Sequence, residues 1–203
     1  MSNLGDYKLY TLPEPTTVAA RQTKQAAFLE QAAVPYQRVN TFQVERVYGF
    51  EPPLQPSFTS IRLQNKAAEG LGKPLPGGQV TVFDRKPDGG LSLTGQSPLK
   101  DTPVGQKVQL GLGRSDLLTL QATQGDLSYP QRRGMTFERS DVALVVHNAD
   151  SRPAMVEVRL RQADLQFLSE SRPHTRDGVF AVWSLSVPAE GEATLRYRTE
   201  APQ

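Results

Sequence analysis

Val142-Ala143-Leu144-Val145-Val146-His147, then Asn148-Ala149-Asp150-Ser151-Arg152-Pro153, then Val156-Glu157-Val158-Arg159-Leu160-Arg161 decide the fold class. In the first run Val142, Leu144 and Val146 alternate with Ala143, Val145 and His147. In the last, Val156, Val158 and Leu160 alternate with Glu157, Arg159 and Arg161. A period of two sends successive side chains to opposite faces of a strand, so these runs predict two strands with an apolar inner face. The Asn/Asp/Ser/Pro cluster between them is turn chemistry.

The same pattern extends in both directions. Downstream, Val179, Ala181, Trp183, Leu185 and Val187 share one predicted face. The chain then turns at Pro188-Ala189-Glu190-Gly191-Glu192 and returns with Ala193, Leu195 and Tyr197 inward. Upstream, Val108, Leu110 and Leu112 mark one strand and residues 117–122 a further one. Pro87-Asp88-Gly89-Gly90 between 80–83 and 91–93 predicts a hairpin, because glycine accepts a positive φ without a side-chain clash. Thr59, Ile61 and Leu63 oppose Ser60, Arg62 and Gln64, and residues 42–48 and 7–12 read as earlier strands. Residues 22–29 are apolar enough for a strand, while 26–33 also fit a short helical piece ended by Pro35.

A helix bundle is excluded, since no window of about 12 residues carries a sustained 3.6-residue stripe. Many short strands punctuated by turns predict an all-β chain, a sandwich or partly open barrel, with β-sandwich architecture preferred. Two small β domains are expected, residues 1–120 and 121–203, the second immunoglobulin-like. Apolar residues are 37% and aromatics 7% of the 203, so each core should be thin.

Composition removes several classes of function. The absence of cysteine excludes disulfides, zinc–cysteine and iron–sulfur sites and a thiol nucleophile, and suits either redox compartment. No apolar run approaches 18 residues, so no membrane-spanning helix is expected. Met1-Ser2-Asn3-Leu4-Gly5-Asp6 has neither the basic flank nor the apolar segment of a signal peptide. The net charge of +2 balances 23 basic against 21 acidic residues, with no lysine-rich arm, so no nucleic-acid partner is expected.

Candidate chemistry is sparse. Gly70-Leu71-Gly72-Lys73-Pro74-Leu75-Pro76-Gly77-Gly78 resembles a phosphate loop only in its glycines. A phosphate loop needs Lys-Ser/Thr opening a helix, and here Pro74 follows Lys73, so an ordered turn is predicted. His147 and His174 lack metal-ligand spacing, and Asp84, Asp88 and Asp101 form no calcium loop, so no metal or cofactor is called for. There is no Gly-x-Ser-x-Gly elbow, and Glu138 with Asp141, or Glu190 with Glu192, read as turn and edge charges. No catalytic residue is assigned. Arg132, Arg133, Arg139, Arg159, Arg161, Arg196 and Arg198 read as edge protection and cross-strand ion pairs, with Arg159 and Arg161 as candidates for an anionic ligand or partner. Trp183 is expected to plug the core, with a sugar platform as its other role.

Tyr10-Thr11-Leu12-Pro13-Glu14-Pro15-Thr16-Thr17 with Arg21-Gln22-Thr23-Lys24-Gln25 resembles the DUF4139 family, a bacterial domain of unknown function. The resemblance continues through Asn65, the 70–80 segment, Asp101-Thr102-Pro103, Lys107, Leu110-Gly111-Leu112-Gly113 and 188–195. It departs from the family pattern at Ala122-Thr123-Gln124-Gly125-Asp126-Leu127 and at Asn148-Ala149. The resemblance implies the C-terminal portion of a longer polypeptide, some relatives of which look exported. A periplasmic or envelope location is the corresponding expectation. It implies no catalytic residues.

These readings converge on a noncatalytic protein-binding or scaffolding module. Its partners would be other proteins or the preceding part of the same polypeptide. One alternative is envelope-associated carbohydrate binding, with Tyr36, Tyr48, Tyr129 or Trp183 as platforms; another is a hydrolase using clustered carboxylates.

Overall fold

The computed structural model describes residues 3–4, 7–8, 15–27, 29–46 and 54–203. The strands are β1 (Asn3–Leu4), β2 (Tyr7–Lys8), β3 (Gln37–Val44), β4 (Gln55–Gln64), β5 (Gly78–Arg85), β6 (Leu91–Leu99) and β7 (Lys107–Ser128). They continue with β8 (Gln131–Arg132), β9 (Met135–Asn148), β10 (Ala154–Arg161), β11 (Gln166–Glu170), β12 (Thr175–Asp177), β13 (Phe180–Val187) and β14 (Gly191–Pro202). One 3-10 turn, Ala67–Glu69, is the only helical element among the described residues. The protein is all-β.

Ten strands form one sheet in the order β11-β14-β9-β7-β4-β3-β10-β13-β12, with β8 paired to β9. Every pairing in it is antiparallel except β3 with β10. Between β14 and β13 lie six strand spacings, about 29 Å in a flat sheet at about 4.8 Å each. Yet Trp183 of β13 and Tyr197 of β14 stack with ring centroids 5.4 Å apart and planes 8° from parallel. The two rings thus bring β13 and β14, distant in the strand order, into contact.

The strand β7 is shared by two pairings. Its first part pairs with β4 and its second with β9, and register shifts interrupt the ladder at Pro56/Ser57, Thr59/Ser60 and Gln124/Leu127. Bulges of this kind bend a strand and raise its twist. The larger core is built by Phe42 and Val44 of β3, Leu118 and Leu120 of β7, Val142, Leu144 and Val146 of β9, Val156, Val158 and Leu160 of β10, and Leu195 of β14. Trp183, Leu185 and Val187 from β13 complete this core, and all three are fully buried.

A second, smaller core lies at the other end of the same inner face. Ile61, Val108 and Leu110 pack with Leu63, Leu75, Val80, Val82, Leu99 and Leu112 beneath the β5–β6 hairpin, which forms its own two-stranded sheet. The hairpin turn is the expected one: Gly89 has φ +85°, the Lys86 amide donates to the Gly90 carbonyl, and the Gly90 amide donates to Asp88 Oδ1. Arg38 of β3 reaches across to Asp84 of β5 at 2.8 Å.

Buried Asn65 organises the loop after β4. Its Nδ2 donates to the carbonyls of Lys73 (2.8 Å), Pro103 (3.1 Å) and Thr102 (3.2 Å), and its Oδ1 accepts from the Gly72 amide. The glycine-rich segment is thus an ordered turn. Gly70 and Gly72 hold φ near +80°, and a Cβ on Gly70 would come within 2.5 Å of the Ala33 carbonyl oxygen.

Several expectations need correction. Residues 117–122 are not a separate strand; they continue β7, because glycine at 113 (φ +113°) bends the chain without ending its pairing. Residues 22–27 and 29–33 are neither strand nor helix, and 22–27 lie exposed, pairing with no strand among the described residues; Phe28 lies outside the described residues. The third strand begins at Gln37 rather than Phe42, because Arg38 and Asn40 share the inward face of Phe42 and Val44. Val179 precedes β13 and is exposed rather than inward. The expected strands at 7–12 and 42–48 lie partly outside the described residues. β7 runs on through position 120, and β3 is hydrogen-bonded to β10. No helix among the described residues is long and apolar enough to cross a membrane.

Candidate functional site

The inner face of the sheet is covered at both ends, but the outer face of the first part of β7, β4, β3 and β10 is not. Alternation assigns its residues. Gln37, Thr41 and Gln43 on β3 are of opposite parity to the buried Asn40, Phe42 and Val44. The ladders then set their neighbours: Gln37 stands beside Arg62 and Arg62 beside Gln109, Gln64 beside Lys107, Thr41 beside Phe58, and Gln43 beside Arg159. The result is an open groove of about 980 Å³ whose rim is formed by Pro35, Tyr36 and Asp177.

Two aromatic rings face this groove. Tyr36, just before β3, is 57% exposed, and Phe58 on β4 is 45% exposed. Phe58 occupies the space above Gly111, where a Cβ would lie 2.9 Å from its Cζ. Glycine at 111 is what lets the ring lie against the sheet. Four glutamine side chains, at 37, 43, 64 and 109, line the groove between the rings and the charged groups.

The charges are balanced. Arg62 makes two hydrogen bonds to the Glu157 carboxylate, one of them Nη2 to Oε2 at 2.8 Å. Arg159 Nη2 lies 2.7 Å from Asp177 Oδ2 and its Nη1 lies 3.9 Å from Glu157, with the guanidinium 5.0 Å from the Phe180 ring centre. The hydrogen bond from Arg159 holds the Asp177 carboxyl below the usual aspartate range, helped by the fields of Arg159 itself, Lys107 and Arg62. Glu69 is the remaining carboxylate on the lining.

The arginines singled out by sequence thus separate into groups. Arg159 belongs to the groove, and Arg161 extends the same face of β10, exposed and beside Phe180 in the ladder. Arg132 and Arg139 instead converge on Glu200, while Arg198 binds Asp141 at 2.7 Å. Arg133 sits at the tight turn after β8 with φ 51°. Trp183 is a core residue: its indole N–H donates to Glu170 Oε1 (3.0 Å) and to the Arg172 carbonyl (3.2 Å), and Phe167, His174 and Tyr197 surround it. Burial there pushes the Tyr197 hydroxyl pKa upward. Tyr129 is half exposed after β7, and Tyr48 lies outside the described residues.

The carboxylates considered for hydrolysis are committed elsewhere. Glu138 binds Arg46 at 2.8 Å, Glu192 pairs with His147, and the hydrogen bond from Arg198 holds the Asp141 carboxyl below its ordinary value. A general acid needs the opposite shift. Among the described residues no group of three His, Cys, Asp or Glu side chains is placed to hold a metal ion.

Phe58 and the four glutamines were not singled out by sequence, because polar faces and isolated aromatics at strand starts read as ordinary surface. The weak signal was Gly111, a glycine inside an otherwise alternating strand. No family model, curated protein or solved structure matches the chain.

Proposed function

We propose that the chain is a noncatalytic binding module of β-sandwich type, immunoglobulin-like in its C-terminal half, whose ligand surface is the outer face of β4, β3 and β10. One observation carries this: Tyr36 and Phe58 are held exposed over a broad concave sheet face lined by amide and guanidinium groups. This face is built with a glycine, Gly111, that makes room for the Phe58 ring. The ion pairs of Arg62 and Arg159 fix the polar groups in place before any ligand arrives, which lowers the entropy lost on binding. The resemblance to the DUF4139 family belongs to the same proposal.

A protein-contact role for the hairpin is the second reading. Phe83, Leu91 and Leu93 are 52%, 61% and 60% exposed, and Phe83 is the cross-strand partner of Leu93, so they form one apolar face on a ribbon with no further strand partner. One experiment separates the two. Binders selected from displayed peptide and glycan libraries are mapped by amide chemical shifts. Perturbations centred on β3, β4 and β10, and lost in Tyr36→Ala/Phe58→Ala, support the groove. Perturbations centred on β5 and β6 assign binding to the hairpin and overturn the groove.

A further inference from the structure

We infer that the groove takes a neutral, hydroxyl-rich oligosaccharide, an inference that rests on the groove being the binding surface. Three features of its lining select this chemistry. The charges balance locally: Arg62 and Arg159 pair with Glu157 and Asp177, and the remaining charged groups on the lining, Lys107 and Glu69, are of opposite sign, so a polyanion finds no cluster of unpaired cations. Four glutamine amides offer paired donors and acceptors at one surface, and their side chains make no hydrogen bond to other described residues. A carboxamide meets a vicinal diol with one donor and one acceptor at once, which neither an apolar peptide side chain nor a phosphate requires.

The two rings supply the remaining element. A pyranose ring presents C–H groups on one face, and these pack against the negative face of an aromatic π-system. Phe58 lies low on the sheet above Gly111, and Tyr36 stands at the rim before β3, so two sugar rings can be contacted at different heights. The groove runs across β7, β4, β3 and β10, about 14 Å at the usual strand spacing, and it is open to solvent. An open trough fits the interior of a glycan chain, whereas a closed pocket would fit a chain end. Trp183, another of the aromatics considered as platforms, takes no part because it is wholly buried.

The test uses cellohexaose, chitohexaose, maltohexaose and xylohexaose, each titrated into the intact chain by calorimetry and by amide shift mapping. At least one is expected to bind, with shifts on β3 and β4. Tyr36→Ala and Phe58→Ala should each weaken it by roughly two- to tenfold, the factor expected for one aromatic contact. Tyr36 lies outside every strand, so its variant keeps the fold even if Phe58→Ala loosens β4. If no hexasaccharide binds at millimolar concentration, the glycan assignment fails. A displayed peptide that still binds and is lost in Tyr36→Ala then overturns the ligand class and keeps the groove. If neither ligand class binds there, both are overturned. Binding unaffected by either substitution also overturns the assignment.

Discussion

Glu200 is 3% exposed, and two arginines converge on it from β8 and β9. Arg132 makes a forked pair at 3.0 and 3.3 Å, and Arg139 places Nε and Nη2 at 3.1 and 2.8 Å from one carboxylate oxygen. A buried charge stripped of a partner costs several kcal/mol, because its desolvation is no longer offset. Arg139→Met should therefore lower the unfolding free energy by about 2–3 kcal/mol, below the full penalty because Arg132 remains. Arg198→Met removes a pair that lies open to water and should shift the urea midpoint by much less. Equal midpoint shifts for the two variants would show that burial of Glu200 does not set its energetic weight. Sequence showed Arg132, Arg139 and Arg198 as equivalent surface charges, since nothing local distinguishes a carboxylate that tertiary packing will bury.

At the scale of elements, the β5–β6 hairpin is attached to the sheet by packing and a few polar links rather than by a strand ladder. Gly95 makes this contact close: a Cβ there would meet the Leu112 carbonyl oxygen at 2.9 Å and its Cα at 3.0 Å. Gly95→Val should push β6 off β7 and cost about 1–3 kcal/mol by overpacking. Amide exchange should accelerate through β5 and β6 while β9, β10 and β13 keep their protection. Uniform acceleration across all of these strands would refute the hairpin as a separately attached unit. The hairpin itself was legible, since Asp88-Gly89-Gly90 between alternating runs specifies a local turn. So were the apolar faces of β9, β10 and β14, whose inward residues recur at every second position. The short strands β8, β11 and β12 were not, because runs of two to five residues are too short to carry an alternation that can be read. The groove was less legible still. Its floor joins β3 to β10 in parallel, residues more than a hundred positions apart, and only tertiary pairing brings Gln43 beside Arg159.

For the molecule as a whole, the ion pairs act as fasteners between strands and between units. Arg38–Asp84 joins the main sheet to the hairpin, Arg62–Glu157 spans β4 and β10 over β3, Arg159–Asp177 ties β10 to β12, and Arg198–Asp141 ties β14 to β9. Hydrogen bonds from Arg38, Arg198 and Arg159 hold the carboxyls of Asp84, Asp141 and Asp177 below the ordinary aspartate value of 3.8. In the window between 3.8 and those lower native values, the unfolded chain takes up protons that the folded chain refuses. Stability is thus present in full above the ordinary value and falls as pH drops through the native ones. The melting temperature should hold level on the acidic side of neutrality and then decline below about pH 4. Added salt should shrink the decline, because these pairs are largely open to solvent. Asp84→Asn/Asp141→Asn should start from a lower plateau and show a shallower slope, since it removes two of the four aspartate carboxyls held low, Asp150 beside Arg152 being the fourth. A double variant whose acid slope equals that of the parent would place the pH dependence elsewhere. Because Asp84 is the one of the four that reaches the hairpin, Asp84→Asn alone should also speed amide exchange in β5 at neutral pH, whereas Asp141→Asn should not.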